Sequence, residues 1–309
     1  MRIHLGCPKH PIGPLALTIG NFDGVHLGHQ AMLHALREAA HTQSLPTGLV
    51  TFEPHPKEFF TPDEAPARLV PLREKLELLR AAALDEVVVL RFNRALASLP
   101  PDDFVERILV RQLNVRWLLV GDDFRFGARR AGDFQTLRTA GERWGFECFS
   151  LSTLLVNGQR VSSSAVREAL AIGDMDRARQ FLGRWYAISG RVVPGRQLGR
   201  SLGFPTANLR PRQKHLPLSG IFAVSVEGID PAPLPGVASL GTRPTIEKEG
   251  EPLLEVHLLN FDASLYGTRI QVNFLKKLRD EARFDSLDTL TRQMALDVAE
   301  ARAFFALSR

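Results

Sequence analysis

The sequence predicts an α/β fold with two domains: a parallel sheet covered by helices over residues 1–183, and a small antiparallel β-barrel closed by a helix over residues 184–309. Three observations predict it. The chain has 309 residues, more than one domain usually holds. Its first part alternates short apolar runs with amphipathic helical patterns, which is typical of α/β proteins with a parallel sheet. Its second part consists of short β-rich runs separated by Gly and Pro, as in small barrels.

Apolar periodicity places the elements of the first domain. Leu15–Ile19 is a continuous apolar run, typical of a buried strand, and the helix after it repeats apolar residues at a spacing near 3.6. The same patterns predict strands at 48–52, 86–90, 115–120 and 146–150, and helices at 72–84, at 102–113 and after Gly132. Ligands of parallel sheets bind beyond the carboxyl ends of the strands, so the loops that follow these strands are candidate sites.

The second domain is predicted from β-rich runs at 186–193, 221–226, 236–240, 253–259 and 268–274. A final stretch, 286–306, carries apolar residues at helical spacing, with Ser286 as its expected N-cap. We expect this helix to pack against the barrel and close it.

Composition limits the function classes. The net charge is +5, but basic and acidic residues are interleaved, which favours phosphorylated small molecules over nucleic acid as partners. Cys7 and Cys148 are too few for a disulfide framework, so a reducing, cytoplasmic location is expected. Neither a leader pattern nor an apolar run long enough to cross a bilayer is present, so no membrane partner is expected. Oligomerisation is possible, but nothing in the sequence indicates it.

Two histidines, His26 and His29, lie where the strand Leu15–Ile19 gives way to a helix. The free backbone N–H groups and the dipole of a helix N-terminus favour phosphate oxygens, and imidazole donors would add to them. Glycines at 20, 24 and 28 allow close approach of the backbone. The segment has neither the Walker pattern nor the dinucleotide fingerprint, so it predicts a different nucleoside triphosphate site. The alternative is a histidine pair that caps an ordinary helix.

Two more loops carry polar and aromatic residues. The loop after the strand at 115–120 contains Asp123, Phe124 and Phe126, whose aromatic faces suit a flat heterocycle; the alternative is a solvated acidic turn. The run 161–167 leads into a helix and offers hydroxyl groups, N–H groups and an arginine to phosphate, although three serines are by themselves mostly a capping signal.

The segment 199–209, GRSLGFPTANL, predicts a second phosphate site. A glycine-flanked basic loop, with Gly199, Arg200 and Gly203, precedes a rigid turn that contains Thr206 and Asn208. A threonine hydroxyl and an asparagine carbonyl are hard oxygen ligands that suit Mg²⁺. The alternative, a proline turn with an Asx cap, leaves the Gly-Arg run unexplained.

Glu255 lies in an apolar strand and shares a face with Leu253 and His257. A carboxylate in such a strand is costly unless it is partnered or functional. Within reach of a primary hydroxyl it would accept the proton as that hydroxyl attacks a γ-phosphate. The alternative is a strand-edge glutamate that faces water, and His257 is expected to be structural.

The first-domain segments TIGNFDGVHLGHQ, TFEPHP, GDDFRFGARRAGDF and VSSSAVREAL resemble the adenylyltransferase half of bacterial bifunctional riboflavin kinase/FAD synthetases. The resemblance implies a Rossmann-like nucleotidyltransferase domain in which His26 and His29 hold the phosphates of ATP. It also implies three groups of binding residues: Gly20, Phe22, Asp23 and Gly28 in the ATP site; Ser163, Ser164 and Arg167 closing over the triphosphate; and Asp123, Phe124 and Phe126 beside the nucleotide and the flavin.

The second-domain segments GRSLGFPTANL, GIFAV, GVASLGTRPTI, LEVHLLNFDASLYG and FLKKLRDEARFDSL resemble the riboflavin kinase module of the same family. The resemblance implies that Thr206 and Asn208 bind Mg²⁺ and ATP, and that Glu255 is the catalytic base. It further implies a nucleotide loop made of Gly199, Arg200 and Gly203, and a flavin-side contact at Arg279.

The function that follows is a two-step synthesis of flavin nucleotides. The barrel is expected to phosphorylate riboflavin to FMN with Mg²⁺ and ATP, and the α/β domain to adenylylate FMN to FAD with release of pyrophosphate. Two alternatives stay open. One is a nucleotidyltransferase for another phosphate-bearing acceptor, with a barrel that only binds a ligand. The other is a non-catalytic flavin carrier or regulator.

Overall fold

The structure is a computed structural model, and it describes residues 1–8, 10–195, 198–211, 213, 215–242 and 252–307, without the side chains of Leu198, Arg200 and Thr242. The chain divides into two compact units. The first consists of Met1–Pro66 and Leu72–Ser162, and the second of Ala67–Pro71 and Ser163–Arg309.

The first unit is built on a six-stranded sheet whose neighbouring strands are all parallel. The strands are β1 (Arg2–Leu5), β2 (Leu15–Ile19), β3 (Thr47–Glu53), β4 (Glu86–Arg91), β5 (Val115–Gly121) and β6 (Glu147–Leu151). Their spatial order is β1-β4-β3-β2-β5-β6. The order reverses direction at β2, between β3 and β5, and such a switch point opens a crevice beyond the carboxyl ends of the strands.

Helices cover both faces of this sheet. The α-helices of this unit are α1 (Leu27–Thr42), α2 (Pro56–Phe60), α3 (Leu72–Ala81), α4 (Arg94–Ala97), α5 (Pro101–Asp103) and α6 (Phe134–Trp144). Buried residues come from α1, α3, α6 and the π-helical segment Phe104–Gln112. Two hydrophobic clusters result, one on each face; Leu17 and Leu118 are buried in one, and Ala16 and Leu119 in the other. The alternation explains why these strands are continuously apolar: neighbouring residues of one strand are both buried, on opposite faces.

The sequence patterns missed β1 and misjudged one helix. β1 is a four-residue edge strand with a mostly exposed pattern, so it lacks the apolar run that marks the central strands. The helix predicted at 102–113 begins as the short α5 and continues as a π-helical segment, Phe104–Gln112. A two-stranded hairpin, β7 (Leu155–Val156) and β8 (Gln159–Arg160), completes the unit.

The second unit contains a six-stranded antiparallel sheet whose strands are β9 (Tyr186–Arg191), β10 (Ala207–Leu209), β11 (Gly220–Glu227), β12 (Leu234–Thr242), β13 (Pro252–Leu258) and β14 (Arg269–Arg279). Their spatial order is β10-β13-β12-β11-β14-β9. A backbone bridge in which Val193 N–H donates to the Asn208 carbonyl (2.9 Å) joins the two outer strands, which closes the sheet into the predicted barrel. The helices of this unit are α7 (Ser163–Ile172), α8 (Met175–Leu182), α9 (Leu198–Ser201) and α10 (Leu287–Leu307).

The predicted closing helix is α10. Ser286 caps it, since its Oγ accepts a hydrogen bond from the Thr289 N–H (3.2 Å). Ala301 of α10 packs against Ile221 and Ala223 of β11, so the helix buries the first part of the outer face of β11, whereas Glu227 at the end of that face stays exposed. Among the helices that the structure describes, none has the length and apolar character needed to cross a membrane.

Candidate active sites

The loop after β2 turns sharply into α1. Phe22 (φ 48°), Gly24 (φ 81°) and Val25 (φ 42°) all have left-handed backbone conformations, which cost energy at the two residues that carry a Cβ. Phe22 is fully buried. A Cβ at Gly20 would lie 3.1 Å from its ring, so glycine there makes room for the turn. The loop therefore has a defined conformation, in which the chain reverses directly beneath the helix entrance.

His26 and His29 meet at this entrance. Their rings stack with centroids 3.6 Å apart at an angle of 18°. His26 is the N-cap of α1, and its Nδ1 accepts a hydrogen bond from the His29 N–H (3.3 Å). The ring of Phe22 contacts the ring of His29, with the two ring centroids 4.8 Å apart. A Cβ at Gly28 would lie 3.2 Å from the His26 ring, so the glycine permits this stack.

The environment of His29 keeps its imidazole neutral. Burial is the main cause that holds its pKa well below the usual 6.5, and the charges of His26 and Lys75 lower it further. The Nδ1 atom of His29 is buried and has no hydrogen-bond partner. Such an atom is costly in a folded protein unless a ligand satisfies it. The geometry thus provides a polar atom at a helix N-terminus, where phosphate oxygens are favoured.

The loop also buries Asp23, which is 4% exposed. The predicted residues Gly20, Phe22, Asp23 and Gly28 therefore belong to the same corner as the two histidines. Gly20 and Phe22 shape it, whereas Asp23 adds a carboxylate. Sequence reasoning missed Lys75 of α3, which lies beneath this loop with an exposure of only 5%.

An aromatic cluster that the sequence analysis missed follows the ends of β3 and β4. Phe59, Phe60 and Phe92 contact each other edge to face, with centroids 5.3–5.6 Å apart. Phe60 is 61% exposed and Phe59 37%, which is unusual for large apolar rings outside a binding surface. The double phenylalanine directly after the EPHP segment is the sequence signal that indicates it.

The acidic loop after β5 is tied to the segment before α7. Asp122 accepts hydrogen bonds from the backbone and hydroxyl of Thr153 (both 3.1 Å), and Asp123 forms an ion pair with Arg160 (2.5 Å). These contacts are exposed to solvent, and the Asp123 side chain is 68% exposed, so the alternative of a solvated acidic turn stays open. Phe126 is 7% exposed and packs on Phe104, so the structure makes it a core residue rather than a ligand-facing one.

The phenylalanine that keeps an accessible part is Phe124, which is half-buried and stacks on Phe126 at 5.7 Å. Ser163 and Ser164 lie in the first turn of α7, as the sequence predicted. The Nε of Arg167 donates to the Ala67 carbonyl (2.6 Å). The expected closure of these three residues over the triphosphate stays a prediction.

In the barrel, Asn208 and Glu255 form a cross-strand pair of β10 and β13. Directly opposite residues of antiparallel strands point to the same face, with Cβ atoms about 4.5–5.5 Å apart. Ser239 of β12 lies on the other side of Glu255. Glu255 alternates with buried Leu254 and Val256 and is itself half-buried, on the same face as Leu253 and His257, as the sequence analysis expected.

Asn208 is a buried polar residue with one unsatisfied atom. It is 5% exposed, its Nδ2 donates to the Thr206 carbonyl (3.3 Å), and its Oδ1 is buried without a hydrogen-bond partner. A Cβ at Gly195 would lie 2.5 Å from Nδ2, so the chain at 195 covers the amide closely. An orphaned, hard oxygen atom beside a carboxylate is the kind of donor that Mg²⁺ takes. Thr206 lines a pocket of the same unit together with Asp262 and Tyr266.

The turn before Asn208 is held by His257, whose Nδ1 lies 2.9 Å from the Pro205 carbonyl and whose ring contacts Phe204. This supports its expected structural role. The glycine loop is tight: Phe204 N–H donates to the Gly199 carbonyl (2.7 Å), and Gly203 has a left-handed conformation (φ 85°). The side chain of Arg200 lies outside the described part of the structure.

Arg279 is occupied within the protein. Its Nε and one terminal nitrogen donate to the two carboxylate oxygens of Asp297 (2.8 and 2.7 Å), and its guanidinium lies over Phe284. Sequence reasoning missed Asp297. The flavin contact expected for Arg279 stays a prediction, because the structure shows the guanidinium bonded to Asp297 of α10.

Comparison with known proteins identifies both halves of the chain. A family model described as FAD synthetase matches residues 10–165, and one described as riboflavin kinase matches residues 182–305. The bifunctional riboflavin kinase/FMN adenylyltransferase of Escherichia coli (strain K12) is 50% identical over 293 residues, which cover 95% of this chain and 93% of the relative. The protein of the same description from Pseudomonas fluorescens is 48% identical, with 99% and 95% covered.

The chain belongs to the bifunctional riboflavin kinase/FMN adenylyltransferase family. It is an enzyme of FMN and FAD biosynthesis, as the motifs predicted. The fold is also similar to the crystal structure of a macrolide-efflux protein from Streptococcus pneumoniae, with a TM-score of 0.79, 27% identity, and 96% and 95% of the two chains covered.

Proposed function

We propose that residues 1–183 transfer the adenylyl group of ATP to FMN, and that residues 184–309 phosphorylate riboflavin with a second ATP. The first assignment rests on the stacked rings of His26 and His29 at the entrance of α1, where the Nδ1 of His29 is unsatisfied. The facing pair Asn208 and Glu255 carries the second. The two family models, which match successive parts of the chain, support this division. Small-molecule substrates and two free cysteines fit a cytoplasmic enzyme.

In the first reaction a phosphate oxygen of FMN attacks the α-phosphorus of ATP, the bond to the bridging oxygen breaks, and pyrophosphate leaves. Negative charge moves onto the leaving pyrophosphate. The N-terminus of α1 and the two imidazoles would bind these oxygens, and donors fixed in advance stabilise charge as it develops. A neutral His29 donates one ring N–H and spends no energy on desolvating an imidazolium, which agrees with its lowered pKa.

The aromatic cluster of Phe59, Phe60 and Phe92 is a site for the flat ring system of FMN. The rings of Phe59 and Phe60 are exposed on the side of the sheet where β3 and β4 end, which is the edge at which the β2 loop also lies. Stacking or edge contacts with a flat heterocycle cover apolar surface that water otherwise contacts. Asp123 and Phe124, in the loop that follows β5, are proposed as further contacts with the nucleotide and the flavin.

In the second reaction the terminal hydroxyl of the ribityl chain attacks the γ-phosphorus of ATP, and ADP leaves. Glu255 accepts the proton of that hydroxyl. Asn208 through its Oδ1, together with the hydroxyl of Thr206, would hold Mg²⁺, and the loop of Gly199, Arg200 and Gly203 would bind the phosphates. A bound Mg²⁺ supplies neutralisation of the charge on the β- and γ-phosphate oxygens.

The donor set fits Mg²⁺ better than a transition metal. No cluster of three or more His, Cys, Asp or Glu side chains suited to a metal occurs among the described residues. The unpartnered oxygen of Asn208 is a hard ligand, and a single nearby carboxylate leaves positions for water and phosphate.

Time-resolved chromatography of flavins tests the proposal. With riboflavin, ATP and Mg²⁺, the wild-type chain should form FMN and then FAD. His29→Ala should stop at FMN, whereas Glu255→Gln should lose about 10²–10⁴-fold in riboflavin phosphorylation and still convert supplied FMN to FAD. His34→Ala, an exposed histidine on the same helix, is the control for His29. Parallel loss of both activities in a folded single variant would contradict the assignment of two separate sites.

A further inference from the structure

Lys75 is a charged residue in a buried position. It lies on α3, where it and Leu79 are the buried residues, and its exposure is 5%. Lysine is almost never buried unless its ammonium group is engaged, because removing that charge from water is costly. The placement therefore calls for an explanation in terms of what the ammonium group contacts.

The ammonium group reaches the loop that carries the histidine site. Its Nζ donates to the backbone carbonyl of Asn21 at 2.8 Å and lies 3.5 Å from the Oγ1 of Thr51. The Thr51 hydroxyl donates to the same Asn21 carbonyl at 3.1 Å. One peptide oxygen thus receives two hydrogen bonds, from α3 and from β3, and one of them is charge-assisted and hence the stronger.

This peptide group immediately precedes the strained residue of the loop. Phe22 has a φ of 48°, which a residue with a bulky side chain rarely adopts. Strained conformations persist only where the surroundings fix them. The fixed Asn21 carbonyl orients the peptide that leads into Phe22, and the Phe22 ring in turn packs against His29. A continuous set of contacts therefore leads from Lys75 to the His29 imidazole.

The charge of Lys75 also acts on His29 directly. Together with burial and with His26, it lowers the pKa of the imidazole. The same positive charge lies beneath the corner in which the polyphosphate is proposed to bind, and it therefore favours the anionic ligand as well.

We propose that Lys75 is a positioning residue of the adenylyltransferase site, which fixes the Asn21–Phe22 peptide and thereby the ring of His29. It acts through the loop and does not contact FMN. The inference rests on the proposed role of His29. Since His29 is assigned to the reacting phosphates, its displacement should lower kcat and leave the KM for FMN nearly unchanged.

The test compares single variants of the full chain. Lys75→Met keeps an unbranched apolar side chain as far as the ε-carbon and removes the ammonium group. We expect kcat for FAD formation to fall about 30–100-fold, as for small displacements of a catalytic group, with the KM for FMN within about twofold. Lys75→Arg retains a charged donor. It should therefore restore at least about a third of the decrease in log kcat that Lys75→Met causes. Thr51→Val, which removes only the weaker donor, should lower kcat about three- to tenfold.

Two controls make the result specific. Arg73→Met removes a positive charge from the same helix, but Arg73 is exposed and pairs with Glu77, so both activities should be unchanged. Riboflavin phosphorylation by the same chain controls for the amount of active protein, and thermal unfolding of each variant reports whether the unit that contains Lys75 is folded. If Lys75→Met fails to fold, the Thr51→Val result decides, and an unchanged kcat there would overturn the inference.

The outcomes separate this inference from the proposed function. His29→Ala is measured in the same assay, and full FAD formation by that variant would overturn the proposed function. If FAD formation is lost in His29→Ala but its kcat is unchanged in Lys75→Met, only the proposed role of Lys75 is overturned. A rise in the KM for FMN with an unchanged kcat would mean that Lys75 serves substrate binding, which also contradicts a positioning role.

Discussion

Two ion pairs link β14 to α10, and they should differ widely in their contribution to stability. Arg279 holds Asp297 with two hydrogen bonds of 2.8 and 2.7 Å, and the Asp297 side chain is 7% exposed. Gln293 donates a third bond to this carboxylate (2.9 Å). Lys276 and Glu300 form the other pair at 3.0 Å, but their side chains are 46% and 48% exposed. The perturbations are the isosteric variants Asp297→Asn and Glu300→Gln.

The magnitude follows from burial. Removing one partner of a buried pair costs about 3–5 kcal/mol, and the low end applies here because 23% of the Arg279 side chain reaches solvent. We therefore expect the free energy of unfolding to fall by about 3 kcal/mol in Asp297→Asn and by less than about 1 kcal/mol in Glu300→Gln. For a unit of this size, about 3 kcal/mol lowers Tm by roughly 6–12 °C.

Differential scanning calorimetry measures both variants against the wild type, and urea unfolding followed by kinase activity checks the same transition. A shift of Tm in Asp297→Asn no larger than that in Glu300→Gln would refute the argument that burial of the Arg279–Asp297 pair fixes α10 on the barrel. High salt should reduce the small effect of Glu300→Gln and leave the large effect nearly unchanged, since exposed pairs are screened far more than buried ones.

Three further predictions follow from individual side chains. The folded-state pKa of His29 lies below 6.5, so the unfolded chain binds more protons at this residue than the folded chain does. The stabilisation from a neutral His29 is therefore complete above pH 6.5, and it is lost as the pH falls below 6.5, at up to about 1.4 kcal/mol per pH unit. Urea unfolding at several pH values should show that the free energy of unfolding falls less steeply with pH in His29→Gln than in the wild type. Burial raises the pKa of Cys148 to about 12. At pH 8, iodoacetamide should therefore modify the Cys148 thiol about 10³-fold more slowly in the folded than in the urea-unfolded protein. Mass spectrometry measures the two rates, and equal rates would contradict the burial of this thiol. Gly195→Ala places a Cβ 2.5 Å from the Asn208 amide and should lower riboflavin phosphorylation at least about tenfold while FAD formation from supplied FMN is retained; normal kinase activity would show that the Asn208 geometry is not critical.

Local patterns predicted most of the fold. The central strands were found because both of their faces are buried, which makes them continuously apolar. The edge strand β1 was missed because its residues are mostly exposed. The π-helical segment after α5 was predicted as an ordinary helix, since a change in hydrogen-bond register leaves the apolar pattern almost unaltered.

The candidate sites were predicted in part. The sequence points to His26, His29, Asn208 and Glu255 because each belongs to a compact motif next to a strand end or on a strand face, and their catalytic and binding roles stay predictions. Lys75 was missed, because a lysine in an amphipathic helix has the same pattern whether it faces water or a buried carbonyl.

The sequence by itself determined the fold class, the two successive catalytic modules and the family, because burial periodicity and compact motifs are properties of short segments. Only the tertiary structure decided which distant residues meet. Lys75 bonds to a carbonyl 54 positions away, Glu255 lies opposite Asn208 in the barrel, and Phe126 packs on Phe104 in the core. Such contacts depend on how strands and helices pack, and no single segment contains that information.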